Sequence, residues 1–193
     1  MKGQIFDITR LYLDGKNGKR TGQGICIISC CEVIAMEMKP WKIYTFWIGL
    51  SEAAGILSGL LSRMGMMLYQ ETVIQPPLAP PGFLFPIVWT VLYALMGFGI
   101  ARVRLKGEGE TKRQSTRLFL AQLAVNFLWS IIFFNFQAWG FALMWLLLLW
   151  VLIALMMLSF WETDKLAGLL QIPYLIWVTF AGYLNLMVLL LNW

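Results

Sequence analysis

The sequence predicts an all-α membrane protein, a bundle of five transmembrane helices, and three observations carry that reading. Residues 141–160 contain no charged side chain. At ~1.5 Å per residue, about 20 helical residues match a hydrocarbon core of roughly 30 Å, and soluble helices seldom stay apolar all the way round. Hydrophobic residues make up 60% of the 193 and charged residues only 13%, with a mean hydropathy of +0.72. A soluble chain carries about 25% charged residues, so the deficit reflects lipid-facing surface. Finally, the apolar bands recur at residues 43–68, 83–104, 116–134, 139–160 and 166–191. Backbone exposed to lipid must satisfy its own hydrogen bonds, so runs this long are helices.

Residues 1–37 stand outside this pattern. They are polar and Gly-rich through Gly24, then briefly apolar in Ile25–Cys31, too short to span, before Glu32 and Glu37. We read them as a disordered N-terminal extension or as sequence translated upstream of a start at Met36 or Met38, with residues 38–193 forming the transmembrane domain. All three cysteines, Cys26, Cys30 and Cys31, lie in this segment and the chain has no His. That set makes neither a closed disulfide framework nor a metal-ligand pattern.

The first span carries Ser51, Gly55 and Gly59 at i+4 spacing, a small-residue face for close helix contact within the bundle or with a second subunit. Glu52 is the acidic residue set well inside a span, so it faces the interior or a water-accessible end. The first connection holds Pro76, Pro77, Pro80 and Pro81. These stiffen it into an extended strip, a candidate lid, and Pro86 fits the first turn of the next helix.

In the second span Trp89, Tyr93 and Gly97 repeat every four residues, two polar-tipped rings and a gap on one side. The third places Leu123, Asn126, Trp129, Ser130 and Phe133 at helical spacing, a face expected to look inward. Asn126 and Ser130 there serve as interhelical hydrogen-bonding groups, as ligand contacts, or as both. The fourth span is the uncharged run itself. In the fifth, Pro173 withholds an amide hydrogen from the Leu169 carbonyl, so the helix is expected to bend. Beyond it Tyr174, Trp177, Ala181 and Asn185 fall on one stripe, with Ala181 leaving room beside the Trp177 indole. Packing alone also produces such aromatic stripes.

Lys39 and Lys42 precede the first span, while Arg102, Arg104, Lys106, Lys112, Arg113 and Arg117 surround the second connection and Lys165 lies in the fourth. The positive-inside bias then places the N-terminus in the cytoplasm and the C-terminus outside. Trp41, Tyr44, Trp47, Trp139, Trp161 and Trp193 are candidate interface anchors. The net charge of +5 is accounted for by cytoplasmic loops and indicates no nucleic acid. No nucleophile, base and orienter set, phosphate-binding Gly loop, acidic pair or metal motif is visible, so no catalytic residue or cofactor is assigned. The ten Trp exceed what interface belts explain.

At these residues the chain resembles the TspO/MBR family, the tryptophan-rich sensory, translocator and peripheral benzodiazepine receptor proteins, from about Lys39 to Asn192. The resemblance rests on four ordered motifs: Pro80-Pro81 followed by residues 85–93 and Met96-Gly97, then Asn126 to Ser130 with Phe133-Phe134, then Ala167-Gly168, and last Pro173 to Ala181 with Leu184-Asn185. It implies a five-helix bundle, commonly a homodimer, that binds porphyrins and other flat hydrophobic ligands beneath the first loop. Sensing, transport or turnover of tetrapyrroles is the implied role, with sterol a second-choice ligand. The implied pocket residues are Trp89, Tyr93, Asn126, Trp129, Trp177 and Ala181, with Tyr174 on the same inward stripe. The resemblance also raises light- and oxygen-dependent porphyrin degradation, in which Trp89 and Trp177 would be the redox-active partners. Leu78 stands where the family often has a Trp, so one ring that could close over a ligand is missing.

Overall fold

In a computed structural model, which describes residues 39–192, the chain is a bundle of helices without strands among the described residues. The expectations for residues 1–37, for the three cysteines and for Trp193 lie outside the described residues. The helices are α1 (Pro40–Thr72), α2 (Leu84–Lys106), α3 (Gly109–Ser130, continued by a π-helical turn Ile131–Asn135), α4 (Trp139–Thr163), α5 (Lys165–Leu169) and α6 (Ile172–Leu191). Five stretches are long and apolar enough to cross a membrane, α5 and α6 together forming the last.

α1 starts with Pro40 in its first turn, where a missing amide hydrogen costs nothing. Its 33 residues extend about 50 Å, well beyond a hydrocarbon core of ~30 Å, so its last turns stand clear of the apolar band expected at 43–68. The buried positions on α1 are Trp47, Ser51, Ser58, Ser62 and Gly65, a face of mostly small residues. This face packs inside the bundle: a methyl at Gly55 would strike the Tyr93 ring of α2, and one at Gly65 would meet Phe134 and Asn135 of the π turn. Across the same contact, a methyl on Gly97 would come within 2.5 Å of the Ile48 Cα. The gap foreseen beside Trp89 and Tyr93 is therefore filled by α1 backbone.

The proline-rich connection is folded by turns rather than extended. Ala79 N–H donates to the Pro76 carbonyl at 3.1 Å and Leu84 N–H to Pro81 at 2.9 Å. Leu78 takes φ +67° at the third turn position, after Pro77. Proline second and a positive φ third make a type II turn, a geometry that ordinarily selects Gly or Asn at the third position.

α3 begins before the apolar band, on the polar stretch from Gly109, with Glu110 in its first turn where the helix dipole favours an acid. Its end widens into the π turn, closed by Phe136 N–H donating to the Ile131 carbonyl at 3.2 Å. The apolar band at 116–134 predicts a regular α-helix to its end, and the π turn replaces its last turn. The fifth span is broken rather than bent: α5 ends at Leu169, α6 restarts at Ile172, and Pro173 occupies the first turn of the new helix. Trp47 is buried, its ring edge-on to Phe119 with centroids 5.4 Å apart, so it serves the core rather than the interface. Trp41 and Trp161 remain exposed, as anchors require.

The half of the bundle around the C-terminal part of α2 is densely packed. Met96, Ile100, Ala101, Val103, Phe119, Met156, Phe160 and Ala167 are fully buried there. At its edge Asp164 accepts from Arg102 Nε at 2.9 Å, lies 2.7 Å from Lys106 Nζ, and caps α5 by accepting from Leu166 N–H at 2.9 Å. Burial pushes the Asp164 carboxyl up, but the hydrogen bonds from Lys106, Arg102 and the Leu166 amide outweigh it and hold the group below the usual carboxylate range.

Candidate functional site

Where the helices diverge, a partly open cavity of about 960 Å³ lies between α1, the first connection, α2, the end of α3 and α6. Small-molecule sites span about 300–1,000 Å³, so this cavity has room for a large ligand. Among the described residues α4 contributes no lining side chain, and Glu52 is the charged residue on the wall.

The hollow follows from side-chain size. Gly59 faces it with nothing within 4 Å of where a Cβ would stand, and Ala181 of α6 leaves space one turn beyond Trp177. Two aromatic walls flank this space. On one, the Trp89 and Tyr93 rings of α2 lie 5.5 Å apart at 33°, while Phe85 meets Trp177 of α6 edge-on at 5.9 Å. On the other, Trp129 and Phe133 of α3 stack at 5.1 Å and 25°, and Tyr69 of α1 stands edge-on to Phe134 at 5.4 Å. Such walls offer flat, polarisable faces to a planar guest. The π turn contributes Phe133 and Phe134 to this wall and ties it to α1, because Asn135 Nδ2 donates to the Leu61 carbonyl at 2.9 Å.

Six of the residues singled out from sequence, Trp89, Tyr93, Asn126, Trp129, Trp177 and Ala181, line this one cavity. Tyr174 does not. It is fully buried behind the wall, where its hydroxyl accepts from Asn126 Nδ2 at 3.0 Å and donates to Gln122 Oε1 at 2.9 Å. The stripe through Tyr174, Trp177 and Ala181 therefore spreads over two environments, since a helix face is wider than a line. Asn185 also lines the cavity, its Nδ2 donating to the Trp139 carbonyl at 3.1 Å and its Oδ1 buried without a partner. Trp129 Nε1 is likewise buried and unpartnered.

Tyr69, Phe85 and Gln122 were not anticipated. Tyr69 and Phe85 sit near span ends, where an aromatic ring reads as an interface anchor. Gln122 had a legible signal, because it lies one turn before Asn126 and is a polar residue in an apolar band. The first connection is also tied to the end of the last span: Asn192, past the end of α6, accepts from Ile74 N–H at 2.9 Å and donates to the Ile74 carbonyl at 3.2 Å. No cluster of His, Cys, Asp and Glu suited to a metal ion exists among the described residues.

A model of the TspO/MBR family matches residues 47–191. The chain is 40% identical over 148 residues to the tryptophan-rich protein TspO of Chlorobaculum tepidum, covering 75% of this chain and 92% of the relative. It is 38% identical over 154 residues to the tryptophan-rich sensory protein of Cereibacter sphaeroides, covering 79% and 93%. With the translocator protein of Bos taurus it shares 30% identity over 148 residues, 76% of this chain and 88% of the relative. The match takes in every helix that lines the cavity, and the chain is a multi-pass integral membrane protein that belongs to the TspO/MBR family.

Proposed function

We propose that this protein binds porphyrins, or similarly flat hydrophobic tetrapyrroles, in the cavity between α1, α2, α3 and α6, and that it works as a sensory or translocating receptor. The observation that carries this reading is the convergence of Trp89, Tyr93, Trp129 and Trp177 on one hollow of about 960 Å³. Opposed aromatic walls favour a planar guest, and few polar groups are needed to orient it. Asn126 supplies one such group, and Ala181 leaves the space next to Trp177. The relatives' names, sensory protein and translocator protein, favour signalling or transfer of a bound molecule over chemistry on it.

In this reading residues 38–193 are the working unit, it assembles as a homodimer in the bilayer, and its N-terminus is cytoplasmic, following the basic residues of the second and fourth connections. Sterol is the second-choice ligand.

Protoporphyrin should quench the intrinsic Trp fluorescence saturably, and Trp177→Ala should weaken that binding on the order of tenfold. Unchanged affinity in the variant would remove Trp177 from the site. Trp89 and Trp177 line the same cavity, which favours a second reading in which both indoles exchange electrons with an illuminated bound porphyrin. Porphyrin absorbance should then decay faster in the complex than free in solution; equal decay leaves binding alone.

A further inference from the structure

Three side chains that no ligand would touch set the polarity of the one amide on the α3 wall. Gln122 Nε2 points to Met96 Sδ at 3.7 Å, and a thioether can only accept. The Gln122 amide is thereby oriented with Oε1 toward Tyr174, whose hydroxyl donates to it at 2.9 Å. With its proton committed, the Tyr174 oxygen can only accept, so Asn126 turns Nδ2 toward it, at 3.0 Å. The Asn126 Oδ1 is left over. Met96, Gln122 and Tyr174 are each fully buried and Asn126 is 2% exposed, so water does not scramble this order. Asn185 on α6 repeats the pattern, its Nδ2 committed to the Trp139 carbonyl and its Oδ1 unpartnered.

We propose that Met96, Gln122 and Tyr174 act as a polarised relay that holds the Asn126 amide with its carbonyl oxygen free for the guest, making the cavity selective for flat ligands that bring an N–H or O–H donor to α3. Tyr174 and Gln122 are positioning residues in this scheme. The selectivity arises because a buried acceptor left without a donor costs more than one merely exchanged with water. This inference rests on the cavity being a site for flat ligands, as proposed above.

The test is a pair of near-isosteric tricyclic probes, carbazole with an N–H and dibenzofuran with a weakly accepting ring oxygen at the same position. Equilibrium dialysis against the full-length protein in detergent gives both affinities. The wild type should prefer carbazole on the order of tenfold. In Gln122→Leu the Tyr174 proton is released to Asn126 Oδ1, the amide rotates, and the preference should fall to about unity or invert, with dibenzofuran affinity held within about twofold. Tyr174→Phe, a second route to the same end, should also erase the preference and covers the case in which Gln122→Leu does not fold. A carbazole preference that survives in either folded variant, or equal affinities in the wild type, would overturn the relay while leaving the cavity reading intact. Binding of neither probe, together with no quenching by protoporphyrin, would overturn both.

Discussion

The two ends of the bundle use the same residue types to opposite effect. Around the second half of α2, glycine brings surfaces into contact: Gly97 lies against the α1 backbone, Gly99 against Gln171 and Phe160, and Gly168 against the Trp161 backbone and ring. Ser115 and Ser159 share a 2.7 Å hydrogen bond there, and Asp164 is held by two cations and an amide. Around the first half of α2, Gly55 and Gly65 still pack against Tyr93 and the π turn, but two small residues leave space: Gly59 has open space where its side chain would be, and Ala181 lies on the cavity wall. A small residue closes a bundle when the facing helix can move in, and opens it when aromatic rings prop the helices apart.

The largest expected effect breaks the closed end. In Gly97→Val the added atoms would enter the Ile48 backbone, which cannot yield as a side chain can, and we expect a loss of about 3 kcal/mol or more in detergent unfolding. Gly59→Leu is the paired control. It should leave thermal stability within about 0.5 kcal/mol of wild type while reducing protoporphyrin affinity at least about tenfold. Similar stability losses in both would dissolve the contrast between the two ends.

A smaller effect concerns the Asp164 cluster. Because its carboxyl titrates below the usual range in the folded protein, the cluster's contribution is present above the unfolded carboxylate pKa of about 3.9 and is lost as pH falls through the lower folded value. Arg102→Leu should cost about 1–3 kcal/mol at neutral pH, with Lys106 still in place, and the gap from wild type should close in acid. A difference independent of pH would mean that Arg102 acts by packing alone.

The smallest effect is at the first connection. Asn192→Ala removes both bonds to Ile74 and should cost only about 1 kcal/mol. Release of bound protoporphyrin should nonetheless accelerate severalfold, read by stopped-flow recovery of Trp fluorescence. An unchanged release rate would show that the Ile74 contact does not restrain the connection above the cavity.

Much of the site was legible because a bilayer penalises what it does not need. Asn126, Trp129 and Trp177 stand out from bands of Leu, Ile and Val, and helical spacing puts them on inward faces. Tyr174 shows where such reading stops. Period places it beside Trp177, yet whether a ring at that angle meets the hollow or the layer behind it depends on how α3 approaches α6. The π turn was equally hidden, since Ile131–Asn135 has the composition of an ordinary apolar helix.

The sequence by itself determined that this chain crosses a membrane in five apolar stretches and which helix faces turn inward, because hydrocarbon demands internally bonded backbone and rejects polar groups one residue at a time. Tertiary structure alone decided that Gly97 closes and Gly59 opens, that the proline-rich connection folds into turns, and that the Tyr174 hydroxyl commits the Asn126 amide. The surroundings of Gly97, Gly59 and Tyr174 are set by residues far apart in the chain and depend on the distance between helices, a quantity that local pattern does not contain. The Pro76–Ala79 and Pro81–Leu84 turns are local, but four prolines suit an extended strip and a turn equally well.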